Sequence, residues 1–263
     1  MHSFFVPAKH RFFVPASSIR GNEVMLGEAQ SHQIARVLRM SPGDTILVLD
    51  NSGWEIETEL LVVDPRQVRG RVLHRRLAGG EPRTKVSLYQ SVPRSKRFEP
   101  VLQKGTEVGI VEFVPVIAER CIISDLEDVE KKRDRWEAII QEAAEQSRRG
   151  LKPALRRATL FSQACEQARQ TGGLSLILWE EEGARSLRHV LRTPPPGRES
   201  HWPPFTINLF IGPEGGYTPD EVELAQRYGL LTVTLGPRIL RTETAGLVAA
   251  SAILYELGDL GKD

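Results

Sequence analysis

The sequence contains little cysteine and no excess of charge of either sign. Cys121 and Cys165 are its two cysteines in 263 residues, and they do not form a CxxC pair. A disulfide framework or a zinc site needs more cysteines at closer spacing, so we expect two buried or half-buried thiols and no bound metal. Because the formal net charge at pH 7 is +1, a polyanionic partner would have to be bound by local basic clusters rather than by the overall field.

Long apolar runs and the familiar nucleotide-binding and hydrolase motifs are also missing. No segment has the length of a membrane span, and the N-terminus lacks the apolar core of a signal peptide. We therefore expect no membrane partner and a cytoplasmic location. The motifs GxxxxGK[ST], GxGxxG, HExxH and GxSxG do not occur, which removes support for P-loop NTPases, dinucleotide enzymes, zinc proteases and serine hydrolases.

From residue 11 to residue 78, short β-prone runs alternate with turn residues. The clearest runs are 45–50, 54–63 and 67–73. Asn-Ser-Gly and Asp-Pro sequences separate these runs and predict turns, and one helix is predicted over 28–39. Several short strands with one helix favour a small β-barrel of the OB or PUA kind. Residues 1–10 contain a duplicate of the FFVPA motif at 12–16, and we expect them to be an extension outside this domain.

Beyond a linker at 77–82, apolar runs alternate with helical patterns. Strands are predicted over 85–91, 112–117, 174–179, 205–210 and 230–235, and helices over 97–109, 129–149, 161–170 and 245–257. Strand–helix alternation of this length is typical of a mostly parallel sheet with helices on both faces. We therefore predict an α/β domain over residues 83–263.

Two glycine-rich loops follow the last two predicted strands, with the sequences IGPEGG at 211–216 and LGPRILRTETA at 235–245. Glycine lets the backbone come close to a ligand, and the carboxyl ends of parallel strands are where α/β sheets bind ligands. Thr218 and Glu221 predict a capping box for the next helix, but a capping turn needs one glycine rather than three. An arginine beside a helix start, such as Arg241, favours an anionic group. The two loops together predict a small-molecule pocket.

Basic residues are concentrated in three places, and each set has two interpretations, a solvated charged surface or contact with an RNA backbone. The sets are His32, Arg36 and Arg39 at helical spacing in the small domain, Arg94 and Lys96 near the start of the α/β domain, and Gln146, Arg148 and Arg149 at the end of the long predicted helix.

With these motifs, the chain resembles the SPOUT superfamily of S-adenosylmethionine-dependent RNA methyltransferases, and within it the ribosomal RNA small subunit methyltransferase E family. The resemblance rests on RFFVP at 11–15, His32 with RVLR at 36–39, KGTEVG at 104–109, EQSRR at 145–149 and the two glycine-rich loops. It implies a PUA-like barrel followed by a domain with a deep trefoil knot, assembled as a homodimer. It also implies S-adenosyl-L-methionine as cofactor and N3 of a uridine in 16S rRNA of the small ribosomal subunit as the methylated atom.

The resemblance further implies roles for individual residues. The cofactor would be bound by Leu178, Glu180, Ile211, Gly212, Pro213, Gly216, Leu235, Gly236, Ile239, Leu240, Thr242 and Ala245. Arg241 would stabilise the uracil anion, and Glu243 (or Glu214) would accept its proton. Arg11 joins the three basic sets as a candidate RNA contact.

Two alternatives stay open on the sequence alone. A non-catalytic RNA-binding or ribosome-assembly module would explain the basic barrel but would leave the two polar glycine-rich loops without a role. A ribose 2′-O methyltransferase of the same superfamily would differ in the acceptor atom.

Overall fold

The computed structural model describes residues 10–180, 184–194 and 202–261. The chain divides into two compact units, the first formed by Met1–Glu81 with Ala144–Lys152 and the second by Pro82–Ala143 with Pro153–Asp263. The division between the units lies within the predicted linker, but the segment 144–152 was assigned by sequence to the α/β domain and packs with the first unit instead. Nearly all of the expected extension, residues 1–9, lies outside the described residues.

A six-stranded, largely antiparallel sheet forms the first unit. Its strands are β1 (Arg11–Phe13), β2 (Ile19–Arg20), β3 (Glu23–Met25), β4 (Thr45–Leu49), β5 (Trp54–Val62) and β6 (Arg69–Leu77), in the order β1-β4-β5-β6-β3-β2. Strand β1 pairs with β4 in parallel, and the other described pairs are antiparallel. The sheet encloses an apolar core that includes Val24, Ile34 and Ile46. The strands predicted for this part are confirmed as a barrel-like sheet.

The helix predicted over 28–39 forms in two parts. Helix α1 (Glu28–His32) continues directly into a π-helical turn, Gln33–Val37. The backbone then reverses at Arg39, whose φ is 53°. Ile34 is fully buried on the inner side, while His32 and Arg36 are exposed.

The segment 144–152 packs on the outer face of the six-stranded sheet, where it buries apolar side chains that would otherwise be exposed to water. Ala144 joins Phe13 and Leu49 in a small buried cluster, and the backbone N–H of Phe13 donates to Glu145 Oε1 at 2.8 Å. Burying these side chains stabilises the folded state in proportion to the apolar area removed from water. The helix predicted over 129–149 therefore has its carboxyl end in the first unit.

A buried ion network holds this segment in place. Arg149, 3% exposed, binds both carboxylate oxygens of Glu81 at 2.8 and 2.7 Å, and the backbone N–H groups of Gly150 and Leu151 also donate to Glu81 Oε1. Arg11 pairs with Glu55 at 2.8 Å and donates to the Arg149 carbonyl oxygen at 3.2 Å. Burial alone would raise the pKa of Glu81, but the hydrogen bonds and charge of Arg149 outweigh it and hold that pKa below 4.5.

The second unit contains an eight-stranded sheet. Its strands are β7 (Lys85–Ser91), β8 (Glu112–Ile117), β9 (Ala154–Leu155), β10 (Thr159–Leu160), β11 (Leu174–Leu178), β12 (Arg185–Ser186), β13 (Thr206–Ile211) and β14 (Leu231–Thr234). The order is β10-β8-β7-β13-β11-β14-β12, with β9 also on β8, and every described pair is parallel. The predicted α/β domain with a mostly parallel sheet is confirmed.

Helices cover both faces of this sheet. They are α2 (Phe98–Val108), α3 (Leu126–Glu130), α4 (Arg133–Gln146), α5 (Phe161–Thr171), α6 (Leu187–Arg192), α7 (Pro219–Arg227) and α8 (Thr242–Glu256). Successive side chains of a strand point to opposite faces, so Leu209 of β13 packs in the core that contains α2 and α8, and Phe210 packs in the core that contains α5 and α7. This alternation explains why the central strands bury side chains on both faces.

Both cysteines lie in the second unit as thiols, Cys165 buried and Cys121 half-buried. Burial raises the pKa of Cys165 to about 12, which keeps it protonated near neutral pH. In the described part of the chain, no helix combines the length and apolarity required to cross a bilayer. The same residues contain no group of three or more His, Cys, Asp or Glu side chains arranged to hold a metal ion.

Candidate functional site

A pocket of about 570 Å³ opens at the carboxyl ends of β11, β13 and β14. This volume is within the range of small-molecule sites, roughly 300–1,000 Å³. The two glycine-rich loops form opposite parts of its wall, and Leu178 to Glu180 at the end of β11 form a third part. Parallel strands bring their carboxyl ends to one edge of the sheet, so loops distant in sequence meet there.

Every residue predicted to bind the cofactor lines this pocket. Arg241, predicted to be catalytic, also lines it. The sequence missed several other lining residues: Arg97, Arg120, Trp179, Tyr217, Val233, Thr234 and Arg238. Trp179, Tyr217, Val233 and Thr234 adjoin predicted strand ends and could have been included on that basis. The strand order was needed to find Arg97 and Arg120.

Thr242 joins three of the elements around the pocket. Its hydroxyl donates to the Gly212 carbonyl oxygen at 2.6 Å and accepts from Gln90 Nε2 at 2.9 Å. Gln90 belongs to β7, Gly212 to the loop after β13, and Thr242 to the first turn of α8. A buried hydroxyl with both a donor and an acceptor fixes the relative position of these elements, and Thr242 is 5% exposed.

The first glycine-rich loop ends in the predicted capping box. The Glu221 N–H donates to Thr218 Oγ1, and the Thr218 N–H donates to Glu221 Oε2 at 2.9 Å. Gly216 in this loop has a φ of 69°, and Gly236 in the second loop has a φ of 110°. Residues other than glycine rarely adopt these backbone conformations. No atom lies within 4 Å of the place where a Cβ would sit on either glycine, so a ligand can approach the backbone directly.

Charged groups surround the mouth of the pocket. Glu214 accepts from the backbone N–H of Arg94 at 2.9 Å and lies 3.6 Å from the Arg97 guanidinium. Arg238 and Arg241 are exposed, and neither forms an ion pair with any described residue. Two uncompensated guanidinium groups at the mouth of the pocket favour an anionic or strongly polar second ligand.

Glu243 lies in the first turn of α8 and is not among the residues that line the pocket. Its side chain is half-buried, and Oε2 has no hydrogen-bond partner within the described residues. A buried carboxylate oxygen without a donor is uncommon, because the desolvation is not compensated. The structure therefore separates Glu243 from Arg241, which faces the pocket.

The predicted RNA contacts fall into two classes. His32, Arg36, Arg39, Arg94, Lys96, Gln146 and Arg148 are exposed. Arg11 and Arg149 are instead held in the buried network of the first unit, where their guanidinium groups bind Glu55 and Glu81. RNA contact by these two arginines stays a prediction; in the described structure their guanidinium groups bind carboxylates and are not presented to solvent.

Comparison with known proteins gives a consistent result. Residues 80–254 match the family model described as an RNA methyltransferase domain. The ribosomal RNA small subunit methyltransferase E of Bacillus subtilis is 35% identical over 247 residues, which cover 92% of this chain and 91% of that protein. The corresponding protein of Synechocystis is 34% identical over 253 residues, covering 95% and 78%.

Two solved structures are similar over nearly the whole chain. The Neisseria gonorrhoeae ribosomal RNA small subunit methyltransferase E bound to S-adenosyl methionine superposes with a TM-score of 0.80 at 30% identity, covering 94% of this chain and 97% of that one. A Legionella pneumophila protein in complex with the bound cofactor SAM gives a TM-score of 0.82 at 30% identity, covering 95% and 98%.

Proposed function

The chain belongs to the ribosomal RNA small subunit methyltransferase E family, and from this we propose that it transfers a methyl group from S-adenosyl-L-methionine to N3 of a uridine in 16S rRNA of the small ribosomal subunit. The observation that carries this proposal is the pocket where both glycine-rich loops meet at the edge of a parallel sheet. A non-catalytic RNA-binding module would not need such a pocket.

The residues present fit the cofactor. Apolar side chains of Leu178, Ile211, Leu235 and Leu240 line the pocket and suit an adenine ring and a methionine chain. The unobstructed backbone at Gly216 and Gly236 would allow main-chain hydrogen bonds to the adenosine, which give a small polar ligand its orientation. When bound, the cofactor supplies an electrophilic methyl group for an in-line displacement.

The protein's own contribution is to place the uracil and stabilise its charge. Arg241 at the pocket mouth would donate to a uracil carbonyl oxygen and stabilise the anion that forms when N3 loses its proton. Glu214 also lines the pocket, where its carboxylate accepts from the Arg94 N–H and lies beside the Arg97 guanidinium. Glu243 lies two residues from Arg241, its Oε2 has no hydrogen-bond partner among the described residues, and we propose it as the proton acceptor.

We assign RNA binding to exposed basic residues in each unit. In the first unit these are His32, Arg36, Arg39 and Arg148, together with Gln146, and in the second unit Arg94 and Lys96. On β6, by contrast, Arg71 and Arg76 are paired with Glu59 and Glu55, so these two side chains offer little free charge to a phosphate. The barrel-like sheet with its exposed helix supports a PUA-like assignment for this unit.

A trefoil knot in the second unit is supported by the path of the chain after β14. Strand β14 lies beside β11, on the side away from β13. The chain then returns across the end of the sheet, since Thr242 at the start of α8 binds Gly212 after β13 and Gln90 of β7. This return across the ends of two earlier strands is the observation that supports the proposed knot.

The outer face of α8 supports a homodimer. Its inner side packs Ala249 and Ile253 in the core, yet Val248 is 42% exposed and Tyr255 76% exposed. A helix that is apolar on both sides is normally covered on both. A second copy of the chain is the proposed cover. Analytical ultracentrifugation of Val248→Asp/Tyr255→Asp is expected to show a monomer where the wild type shows a dimer.

Incubation with labelled S-adenosyl-L-methionine tests the function. Purified small subunits and naked 16S rRNA serve as parallel substrates, and the methylated atom is mapped by mass spectrometry of nucleosides. Label on uridine N3 supports the proposal. Label on a ribose 2′-oxygen would favour the second methyltransferase alternative. Absence of cofactor binding by calorimetry would favour the non-catalytic RNA-binding module.

A further inference from the structure

The first glycine-rich loop is held by a residue of the turn after β8, Arg120. Arg120 follows β8 and donates from one terminal nitrogen to the carbonyl oxygens of Gly215 at 2.8 Å and Tyr217 at 3.4 Å. The aliphatic part of Arg120 lies on Gly215 so closely that a Cβ there would be 3.3 Å from both its Cβ and its Cδ. Arg120 also lines the pocket.

The same two peptide groups are fixed at their opposite ends. The N–H that follows the Gly215 carbonyl belongs to Gly216 and donates to the Pro213 carbonyl oxygen at 2.9 Å. The N–H that follows the Tyr217 carbonyl belongs to Thr218 and donates to Glu221 Oε2. Because a peptide group is planar, holding its N–H and its C=O together fixes its orientation. Arg120 supplies the C=O half of both restraints.

The base of Arg120 is itself anchored. The backbone N–H of the preceding residue, Glu119, donates to Glu221 Oε1 at 2.9 Å, and Glu221 is 8% exposed. Glu221 therefore links the turn after β8 to the helix start after the loop. With the backbone before it fixed, Arg120 presents its side chain to the two carbonyl groups from a defined position.

We propose that Arg120 is a positioning residue that holds the first glycine-rich loop in its cofactor-binding conformation. The proposal rests on the proposed function and adds a residue that acts through the loop rather than by touching the reacting atoms. A loop that is already ordered loses less conformational freedom when a ligand binds. Without Arg120, the loop samples other peptide orientations, and cofactor affinity falls.

Two substitutions separate positioning from simple charge. Arg120→Lys keeps the positive charge but replaces the terminal NH2 group, whose two N–H bonds have fixed directions in the guanidinium plane, with a freely rotating ammonium group at a different reach, and Arg120→Gln removes the charge. Positioning predicts that both variants bind S-adenosyl-L-methionine about tenfold more weakly, which corresponds to about 1.4 kcal/mol. Purely electrostatic attraction predicts that Arg120→Lys keeps wild-type affinity, and that result would overturn the proposal.

Calorimetry on the full chain measures the dissociation constants of S-adenosyl-L-methionine and S-adenosylhomocysteine. The matched control is Arg135→Gln, an arginine of the same unit that is 58% exposed, pairs with Glu99 and does not line the pocket; its affinities should stay within twofold of wild type. Steady-state kinetics should show a higher KM for the cofactor and an unchanged KM for the RNA substrate. Unchanged cofactor affinity in both Arg120 variants would refute positioning, whereas a wild-type chain that binds no cofactor would refute the proposed function.

Gly215→Ala gives a test that does not depend on the stability of the Arg120 variants. The new methyl group would press on the Arg120 stem at 3.3 Å, and we expect weaker cofactor binding. In an Arg120→Ala background, which removes the Cγ and Cδ atoms that the new methyl group would meet, the added cost of Gly215→Ala should be smaller. Additive effects of the two substitutions would mean that loop and arginine are not coupled and would contradict the proposal.

Discussion

Replacing Thr242 with valine should destabilise the second unit by about 2–3 kcal/mol. Valine has nearly the same shape and helix propensity as threonine, so the substitution removes little besides the hydroxyl. The Gly212 carbonyl oxygen then loses its donor and Gln90 Nε2 loses one acceptor. Each polar group left unsatisfied costs about 1–3 kcal/mol. The lower half of that range applies, because Gly212 is half-buried and Gln90 keeps a bond to the Ser91 carbonyl oxygen at 3.2 Å.

Urea unfolding followed by tryptophan fluorescence measures this difference. Of the four tryptophans, Trp136, Trp179 and Trp202 belong to the same unit as Thr242, so the signal reports mainly on that unit. Thr244→Val is the matched control in the same helical turn. Thr244 is exposed and makes no side-chain hydrogen bond with any described residue, so its change should stay within about 0.5 kcal/mol. Equal unfolding free energies for the two variants would refute the role assigned to the hydroxyl.

Other predictions concern the buried ion pair, the helix end and the chemistry. Glu81→Gln should cost about 3 kcal/mol at pH 7 by leaving Arg149 buried without its counter-ion. The folded-state pKa of Glu81 is lowered below 4.5, so its contribution to the free energy of unfolding is present above that pH and is lost as pH falls through the folded-state pKa. The free energy of unfolding should therefore depend less on pH in the acid range in the variant than in the wild type. Arg148→Gly should raise the melting temperature, since Arg148 has a φ of 62° and glycine adopts this conformation without strain, yet should weaken RNA binding in filter assays. In single-turnover methylation, Arg241→Ala and Glu243→Gln should each slow the reaction by roughly 10²-fold or more; near wild-type rates would remove them from the chemistry.

The fold could be predicted largely from local pattern. The central strands of the second unit are short apolar runs bounded by turn residues, and their bounds differ from the prediction by a residue or so at β13 (Thr206–Ile211) and β14 (Leu231–Thr234). These features depend on neighbours in sequence. The helical segment predicted as 129–149 was less accurate, because α3 ends at Glu130 and α4 runs from Arg133 to Gln146.

Residues 144–152, which the sequence placed in the α/β domain, cluster with the first unit for a physical reason. Helical periodicity shows which side of a helix is apolar, but it does not show which core that side covers. The apolar cover needed by Phe13 and Leu49 is a property of a sheet more than 90 residues earlier. Arg148 and Arg149 are identical neighbours in the sequence, yet Arg148 is exposed and Arg149 is only 3% exposed, beside Glu81. A partner 68 residues away decides the difference.

The site residues that the sequence identified differ from those that it missed in whether their role depends on a distant partner. A glycine that must adopt positive φ, such as Gly216 or Gly236, reports its role through its own identity, since few other residues can take its place. The role of an arginine that holds a loop cannot be predicted from its identity, because the role depends on the partner that it contacts. Arg120 and Gly215 are 95 residues apart, and they meet because β7 is the one strand between β8 and β13. Strand order follows from the three-dimensional path of the chain and is not encoded in any local motif. The residues that face the ligand can therefore be predicted from the sequence, whereas the side chains that hold them in place are identified only in the structure.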